Sequence, residues 1–406
     1  MGPSDFHGGG NAPSPLRVCI YYMESTGAGH RRAAEAVDAA LRALPEPVEV
    51  QRVNIVDYMN PAVHQVYQTV RNWLMDDAPH VFGQLYAWSD RPPEKENIFE
   101  KSLRGLELTS LRSLIDFMVE TPCDLAIHTH FFPAEVAAFL RRRGRVHFPH
   151  VTVTTDYFSH ALWSQDPCER FFVASGDAKA YLSRLGVPLD RIERTGIPID
   201  PRFAALRKND ADFDAETEAR IRAFESEARR PRVLLSATGT APEAATQNLQ
   251  DLLMARRPLS VRVLAGGDSD RLDALRQVPV PPDGHVVEVC GPRDDMPEVL
   301  AESDVVIGKA GGLTCAESMS AGCPMAFLRP RPDQEAQNVD FLLEHQAATR
   351  IFRSALLGPK IDAMFADLER WRSLRTQAHR LGQPEAASQV ARACMELVRL
   401  TRGVEA

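Results

Sequence analysis

The sequence predicts an α/β protein of two similar-sized halves, each a parallel sheet wrapped by helices. Three observations predict it. Short apolar runs alternate with helical periodicity along most of the chain, the pattern of parallel strands joined by crossover helices. That pattern starts near Arg17, lapses over a charged stretch from Arg207 to Arg230, and starts again at Val233. The chain has 406 residues, more than one hydrophobic core normally organises.

In the first half, Arg17 to Tyr22 reads as a strand and Glu24 to His30 as a glycine-containing loop. Ala33, Ala34, Val37, Ala40, Leu41 and Leu44 then recur at helical spacing, and Pro45 and Pro47 stop the helix. Val48 to Val53 is the next strand, completing the opening of a doubly wound sheet. Further strands are expected at Leu125 to His128, Val151 to Thr154 and Arg170 to Val173. A helical stretch rich in aromatics (Tyr67, Trp73, Phe82, Tyr86, Trp88) lies between Pro61 and Phe117. In the second half, strands are expected at Val233 to Ser236, Val261 to Ala265, Val286 to Val289, Val305 to Ile307 and Met325 to Leu328. Val390, Ala393, Cys394, Leu397 and Val398 mark one face of a terminal helix, Ala386 to Arg402. The division expected is a tail over 1–15, a first domain over 16–205, a linker over 206–230, a second domain over 231–380, and the C-terminal helix over 381–406.

Composition narrows the function. The net charge of -8 argues against a dedicated nucleic-acid binder, which would present a basic face. The seven cysteines form no CxxC pair, so they read as reduced core residues of a cytoplasmic protein. No segment has the length and apolarity of a membrane span, and the Gly/Pro/Ser-rich start lacks the apolar region of a signal peptide. Membrane contact is therefore expected to be peripheral. Arg141, Arg142, Arg143 and Arg145 could meet anionic headgroups, and the aromatics from Tyr67 to Trp88 could hold an acyl chain or fill the core.

Several stretches carry chemistry. Ser25-Thr26-Gly27-Ala28-Gly29-His30 lies between the first strand and the first helix. Gly27 and Gly29 allow a tight turn and close approach to a ligand, and free N–H groups at the helix start favour an anion. His30 titrates near neutrality and suits a general base; a solvated or capping histidine is the plainer alternative. Gly308 to Glu317 repeats the pattern, with Lys309, Gly311, Gly312, Leu313 and Thr314 leading into a helix. There Glu317 can accept from both hydroxyls of a ribose while a diphosphate lies over the loop amides. Thr238 and Gly239 form a comparable loop after Ser236. Gln334, Glu335 and Asn338 follow another strand and suit a hydroxyl-rich ligand. Asp156 and His160 would stand at the same sheet edge as His30. Asp268-Ser269-Asp270 matches a metal-binding DxD pattern, but so short a match after Gly266-Gly267 reads first as loop chemistry.

In order and spacing these stretches resemble the monogalactosyldiacylglycerol synthases and bacterial diacylglycerol glucosyltransferases, and more distantly the peptidoglycan N-acetylglucosaminyltransferase. The resemblance runs from Arg17 to about Arg350. It rests on the motif ending at His30, Thr155-Asp156 with His160 and Trp163, Gly196 to Phe203, Lys309 to Glu317, and Gln334-Glu335 with Asn338. It implies a GT-B fold with the acceptor on the N-terminal domain and a UDP-sugar on the C-terminal one. It also implies inversion at the anomeric carbon without a metal or other cofactor. Glu317 would meet the ribose, Gln334 and Glu335 the sugar, and His30 the reacting centre. Asp156 or His160 would orient His30 or replace it as base. The chain departs from the family in two places. The loop opening the second domain reads Ser236-Ala237-Thr238-Gly239-Thr240-Ala241, with fewer glycines than usual, and Asp333 stands where a glycine often precedes Gln334. The expected acceptor is a lipid, diacylglycerol or a relative. A soluble acceptor, a UDP-N-acetylglucosamine 2-epimerase and a non-catalytic UDP-sugar sensor are the competing readings.

Overall fold

A computed structural model describes residues 15–24, 28–61, 111–328 and 334–402, with scattered residues between 64 and 90. The N-terminal tail, Gly27, Asp333 and the aromatics Tyr67, Phe82 and Tyr86 lie outside the described residues.

The first half runs β1 (Leu16–Tyr22), α1 (Gly29–Arg42), β2 (Val48–Asn54), α2 (Arg112–Glu120), β3 (Leu125–His128), α3 (Phe131–Arg142), β4 (His150–Val153), β5 (Arg170–Val173), α4 (Gly176–Arg184) and β6 (Ile192–Arg194). Its six strands are parallel in the order β2-β1-β3-β4-β5-β6. The first half closes with α5 (Arg202–Leu206), and the second runs α6 (Asp210–Glu225), β7 (Arg232–Ser236), α7 (Pro242–Leu252), β8 (Ser260–Leu264), α8 (Ser269–Arg276), β9 (Val286–Cys290) and α9 (Met296–Glu302). It continues through β10 (Val305–Gly308), α10 (Gly312–Ser320), β11 (Met325–Leu328), α11 (Gln334–Glu344), β12 (Ala348–Ile351), α12 (Leu357–Ala366), α13 (Leu368–Leu381) and α14 (Ala386–Arg402). Its sheet is also parallel, ordered β12-β11-β10-β7-β8-β9.

Strand order reverses between β1 and β3 in one sheet and between β7 and β10 in the other. At such a switch point adjacent loops leave in opposite directions and open a crevice at the strands' carboxyl ends. His30 follows β1, Thr238 and Gly239 follow β7, and Lys309 to Glu317 follow β10, all at these switch points; Asp156 and His160 follow the neighbouring β4, and Gln334, Glu335 and Asn338 the neighbouring β11.

The helices form for ordinary reasons. α1 buries Ala34, Val37, Ala40 and Leu41 against β1, and α14 buries Val390, Ala391, Cys394 and Val398 in that same cluster. The final helix therefore crosses back and completes the N-terminal core. Each large aliphatic side chain so buried contributes about 1.5–3 kcal/mol. The charged stretch from Arg207 to Arg230 is mostly α6, which buries Phe213, Thr217, Ile221 and Phe224. Its periodicity is hidden in the sequence because Arg220 occupies an inward position, neutralised by Asp304 at 2.6 Å. Two edge strands, β6 (IER) and β12 (ATRI), are also hidden, since three or four residues with a charge among them make no apolar run.

Among the described residues no helix is long and apolar enough to cross a membrane. In the arginine cluster at the end of α3, Arg142, Arg143 and Arg145 are exposed and Arg141 is partly buried. Arg141 pairs with Glu169 at 2.6 Å, Arg142 donates to the Asp166 carbonyl, and Arg143 lies over the Phe139 ring at 4.2 Å. Trp73 and Trp88 are exposed.

Candidate active site

The carboxyl ends of the two sheets face one another. A shared cluster of buried side chains joins the halves, with Ala33, Tyr157 and Ile197 from one and Leu313, Ala316 and Val339 from the other. Beside it a cavity of about 430 Å³ opens between Arg31, Arg32, Asp200 and Arg202 on one wall and Ser236, Thr238, Gly266, Gly291, Arg293, Thr314 and Glu317 on the other. That volume lies within the range of small-molecule and cofactor sites.

His30 sits in the first turn of α1 because the β1 loop ends directly on the helix. Its Nδ1 lies 2.6 Å from the Thr129 carbonyl, which can only accept. Nδ1 therefore carries the proton, and Nε2 keeps the lone pair. Thr155 Oγ1 lies 3.2 Å from the same Nδ1, and the Thr129 hydroxyl donates to the His30 carbonyl at 2.9 Å. The His130 ring stands edge-on at 4.7 Å between centroids. Desolvation pushes the His30 pKa down to about 4, opposed by the Thr129 carbonyl. The ring is thus neutral at pH 7, the state a proton acceptor requires.

Neither α1 nor α10 has a side-chain cap or an acidic residue in its first turn. Ser175, Asn209, Asp268 and Asp367 each cap their own helix by accepting a backbone N–H, whereas α2, α5 and α12, like α1 and α10, have neither a cap nor an acidic first turn. The first N–H groups of α1 and α10 carry partial positive charge and suit an anion. Asp268, first of the DxD pattern, is occupied as the cap of α8 and also holds Arg271 Nη2 at 2.7 Å. Local helix chemistry accounts for it.

The start of α10 touches the N-terminal half directly. A Cβ on Gly312 would fall 1.9 Å from the Thr155 carbonyl oxygen, so no larger residue fits in this arrangement. Gly312 thereby stands one residue away from His30, with Thr155 between them. Gly311 precedes the helix, Leu313 is in the shared core, and Thr314 is on the cavity wall. Gly29 opens α1 with free space around it. Lys309 Nζ donates to the Gly239 carbonyl across the loop after β7; Gly239 has φ +67°, and Thr238 lines the cavity beside it.

Glu317 is buried, and its Oε1 accepts from Arg32 Nη2 at 2.5 Å, spanning the cleft. Burial raises the Glu317 pKa to about 7, opposed by Arg32 and assisted by Asp200. The bridge is thus a full ion pair only above neutrality. Asn338 is fully buried and serves the contact between the halves. Its Nδ2 donates to Asp156 Oδ1 and to the Ala310 carbonyl, and its Oδ1 accepts from Tyr157 N–H, each at 2.9 Å. Asp156 and Glu335 both lie near Cys315 and raise its pKa beyond the effect of burial. The backbone of Gln334 opens α11; its side chain lies outside the described residues. His160 is buried and turned to local duty: its Nδ1 accepts from Leu162 N–H at 3.1 Å, and Asp90 lies 3.8 Å from Nε2.

The structure therefore gathers His30, Gly312, Glu317, Asp156 and Asn338 at one interface. It adds residues that the motifs did not bring out: Arg31, Arg32, Asp200, Arg202 and Arg293. Arg202 is held by Asp200 at 2.7 Å and donates to the Asp294 carbonyl at 2.5 Å across the cleft. The signals in the sequence were the pair of arginines directly after His30 and the Gly196 to Phe203 stretch, which contains Asp200 and Arg202.

Comparison with known proteins agrees with this geometry. Residues 30–199 match the family profile of monogalactosyldiacylglycerol (MGDG) synthase. Residues 241–390 match the glycosyltransferase family 28 C-terminal domain. A processive diacylglycerol beta-glucosyltransferase from Staphylococcus haemolyticus is 25% identical over 318 residues, covering 77% of this chain and 76% of the relative. Among solved structures, MurG of Acinetobacter baumannii superposes with a TM-score of 0.58 at 14% identity, over 94% of this chain and all of that one. The UDP-GlcNAc 2-epimerase of Neisseria meningitidis gives 0.55 at 12%, over 94% and 100%. The two profile matches fall one on each half and bear out the resemblance drawn from the motifs. The fold is GT-B.

Proposed function

We propose that this chain, whose halves match the MGDG synthase and family 28 profiles, is an inverting hexosyltransferase that moves glucose or galactose from a UDP-sugar to a hydroxyl of diacylglycerol or a related lipid. The observation that carries the reading is the pairing across the cleft: a histidine with a fixed lone pair stands one residue from an uncapped helix start with a buried carboxylate on its next turn. In this reading the ribose hydroxyls bind Glu317, displacing or sharing it with Arg32. The diphosphate lies at the start of α10, near Lys309 and Thr238. The sugar lies toward Gln334 and Glu335, and the acceptor hydroxyl meets His30.

The chemistry then balances. His30 Nε2 takes the acceptor O–H proton as the oxygen attacks the anomeric carbon. The bond from that carbon to the β-phosphate oxygen breaks, and UDP leaves from the opposite face. Helix N–H groups and nearby cations stabilise the charge gained by the leaving diphosphate. The reaction on this account needs no metal ion. Positioning by a closed cleft contributes as well, because both reactants are held in line before the barrier is crossed.

The likeness in fold to an epimerase gives the second reading its footing. The test is UDP release from UDP-glucose or UDP-galactose, with and without diacylglycerol in mixed micelles, in excess chelator. Release that depends on lipid and survives the chelator is expected. Epimer formation from UDP-N-acetylglucosamine without lipid-dependent release would overturn the transferase reading.

A further inference from the structure

The chain crosses between its halves twice, just before α6 and again between α13 and α14, and the crossings meet at Arg207. One guanidinium nitrogen of Arg207 donates to the Ser320 carbonyl at 3.5 Å, the other to the His379 carbonyl at 2.5 Å. A Cβ on Gly382 in the second crossing would fall 2.7 Å from the Arg207 side chain and 2.6 Å from the Met319 carbonyl. At this junction, by the C-terminal end of α10, lies a separate cavity of about 200 Å³. It is at the opposite end of α10 from the donor cleft, a helix of nine residues or about 13 Å away.

The wall of this cavity carries five cationic side chains, Arg207, Lys208, Arg220, Arg232 and Arg375, against two carboxylates, Glu216 and Glu302. Glu216 is already shared among Lys208, Arg220 and Arg375. Arg220 is further matched by Asp304 behind it. Arg375 is 1% exposed, lies 4.5 Å over the Phe213 ring, and has burial and Arg220 pushing its pKa down to about 10. Among the described residues, Arg375 Nη1 and Ser320 Oγ are buried without a hydrogen-bond partner, and both residues are on the cavity wall. A buried guanidinium N–H, a hydroxyl and a flexible ammonium around a small cavity match the donors that bind a phosphate group. In the proposed function the diphosphate lies at the other end of α10 and makes no use of these groups.

We propose that the junction cavity is a second anion site, which takes a phosphate-class dianion through Lys208, Arg375 and Ser320. The bound anion ties the first crossing to α13, so it stiffens the joint on which the two halves close. The phosphate belongs either to a free solute or to a lipid headgroup.

The test is calorimetric titration of the full chain with inorganic phosphate at fixed ionic strength, with saturating UDP to fill the cleft. Saturable binding is expected, weakened at least tenfold in Lys208→Glu and in Arg375→Met. Hydrogen exchange should slow in 203–209 and 378–386 when phosphate is added. Lys208 is half-exposed, so its variant keeps the test decisive should Arg375→Met fail to fold, and it assigns the site whether or not UDP binds. A parallel arm measures sedimentation with phosphatidylcholine vesicles, with and without phosphatidic acid. Lys208-dependent binding to inorganic phosphate identifies a solute, and Lys208-dependent binding to the acidic vesicles alone identifies a headgroup. No binding in either arm, or binding unchanged in Lys208→Glu, overturns the proposal.

Discussion

The starts of α1 and α10 occupy equivalent places in the two sheets, at the switch points after β1 and β10, yet they are furnished differently. Both lack a side-chain cap and an acidic first turn. The first turn of α1 carries His30, Arg31 and Arg32, with Thr129, His130 and Thr155 close around the imidazole. The first turn of α10 carries Gly312, Leu313 and Thr314, with backbone from the other half in place of a side chain. One scaffold thus supplies a proton acceptor at one end and bare amides at the other. In the proposed reading this asymmetry lets the half that bears His30 address the acceptor and the half that bears α10 address the donor.

The comparison breaks most severely at His30. His30→Ala should lower the turnover of sugar transfer by roughly 10²–10⁴-fold, as loss of a general base does. UDP affinity, measured by calorimetry, should stay within about twofold, because the base meets the acceptor. In the parent protein the ring is neutral above a pKa of about 4, so kcat at saturating UDP-sugar should hold through pH 6 and be lost as pH falls toward 4, whereas kcat/KM also reports Glu317, which titrates at about 7 in the open cleft. A limb near 6.5 would mean that another group, or a more solvated His30, is the base. Near-normal turnover in His30→Ala would move the role to Asp156.

Gly312→Ala probes the other end. The added methyl meets the Thr155 carbonyl, so the halves must part or shift before the cleft can close. A displacement of about 1 Å costs on the order of 10²-fold in rate, and the unfolding midpoint should fall as well, since parting the halves loosens the buried cluster they share. Rate and small-angle scattering together check this; unchanged rate with unchanged radius would show that the contact is not needed in turnover. The mildest expectation is for Asp268→Ala. Losing the α8 cap should cost about 1 kcal/mol, a few degrees in Tm at most, with transfer intact in the presence and absence of chelator. A large loss restored by a divalent cation would give the DxD pattern the metal role that its capping geometry argues against.

The amino-acid sequence determined more of this protein than its modest motifs suggest. Alternating apolar runs and helical periodicity are local signals, so most strands of both sheets, the first helix and the last were legible, and with them the sheet edges that bear His30, Gly312 and Glu317. What stayed illegible depended on partners distant in the chain. β6 and β12 are strands because a neighbour supplies their hydrogen bonds, not because of their own residues. Arg220 points inward because Asp304 waits there, 84 residues on. The Arg32–Glu317 bridge spans 285 residues, and Asn338 meets Asp156, 182 residues away. The tautomer and depressed pKa of His30 follow from a carbonyl 99 residues distant and from burial by surrounding elements. Periodicity and turn chemistry act within a few residues; charge pairing, desolvation and close backbone contact act through space, and only the tertiary structure decides which groups meet.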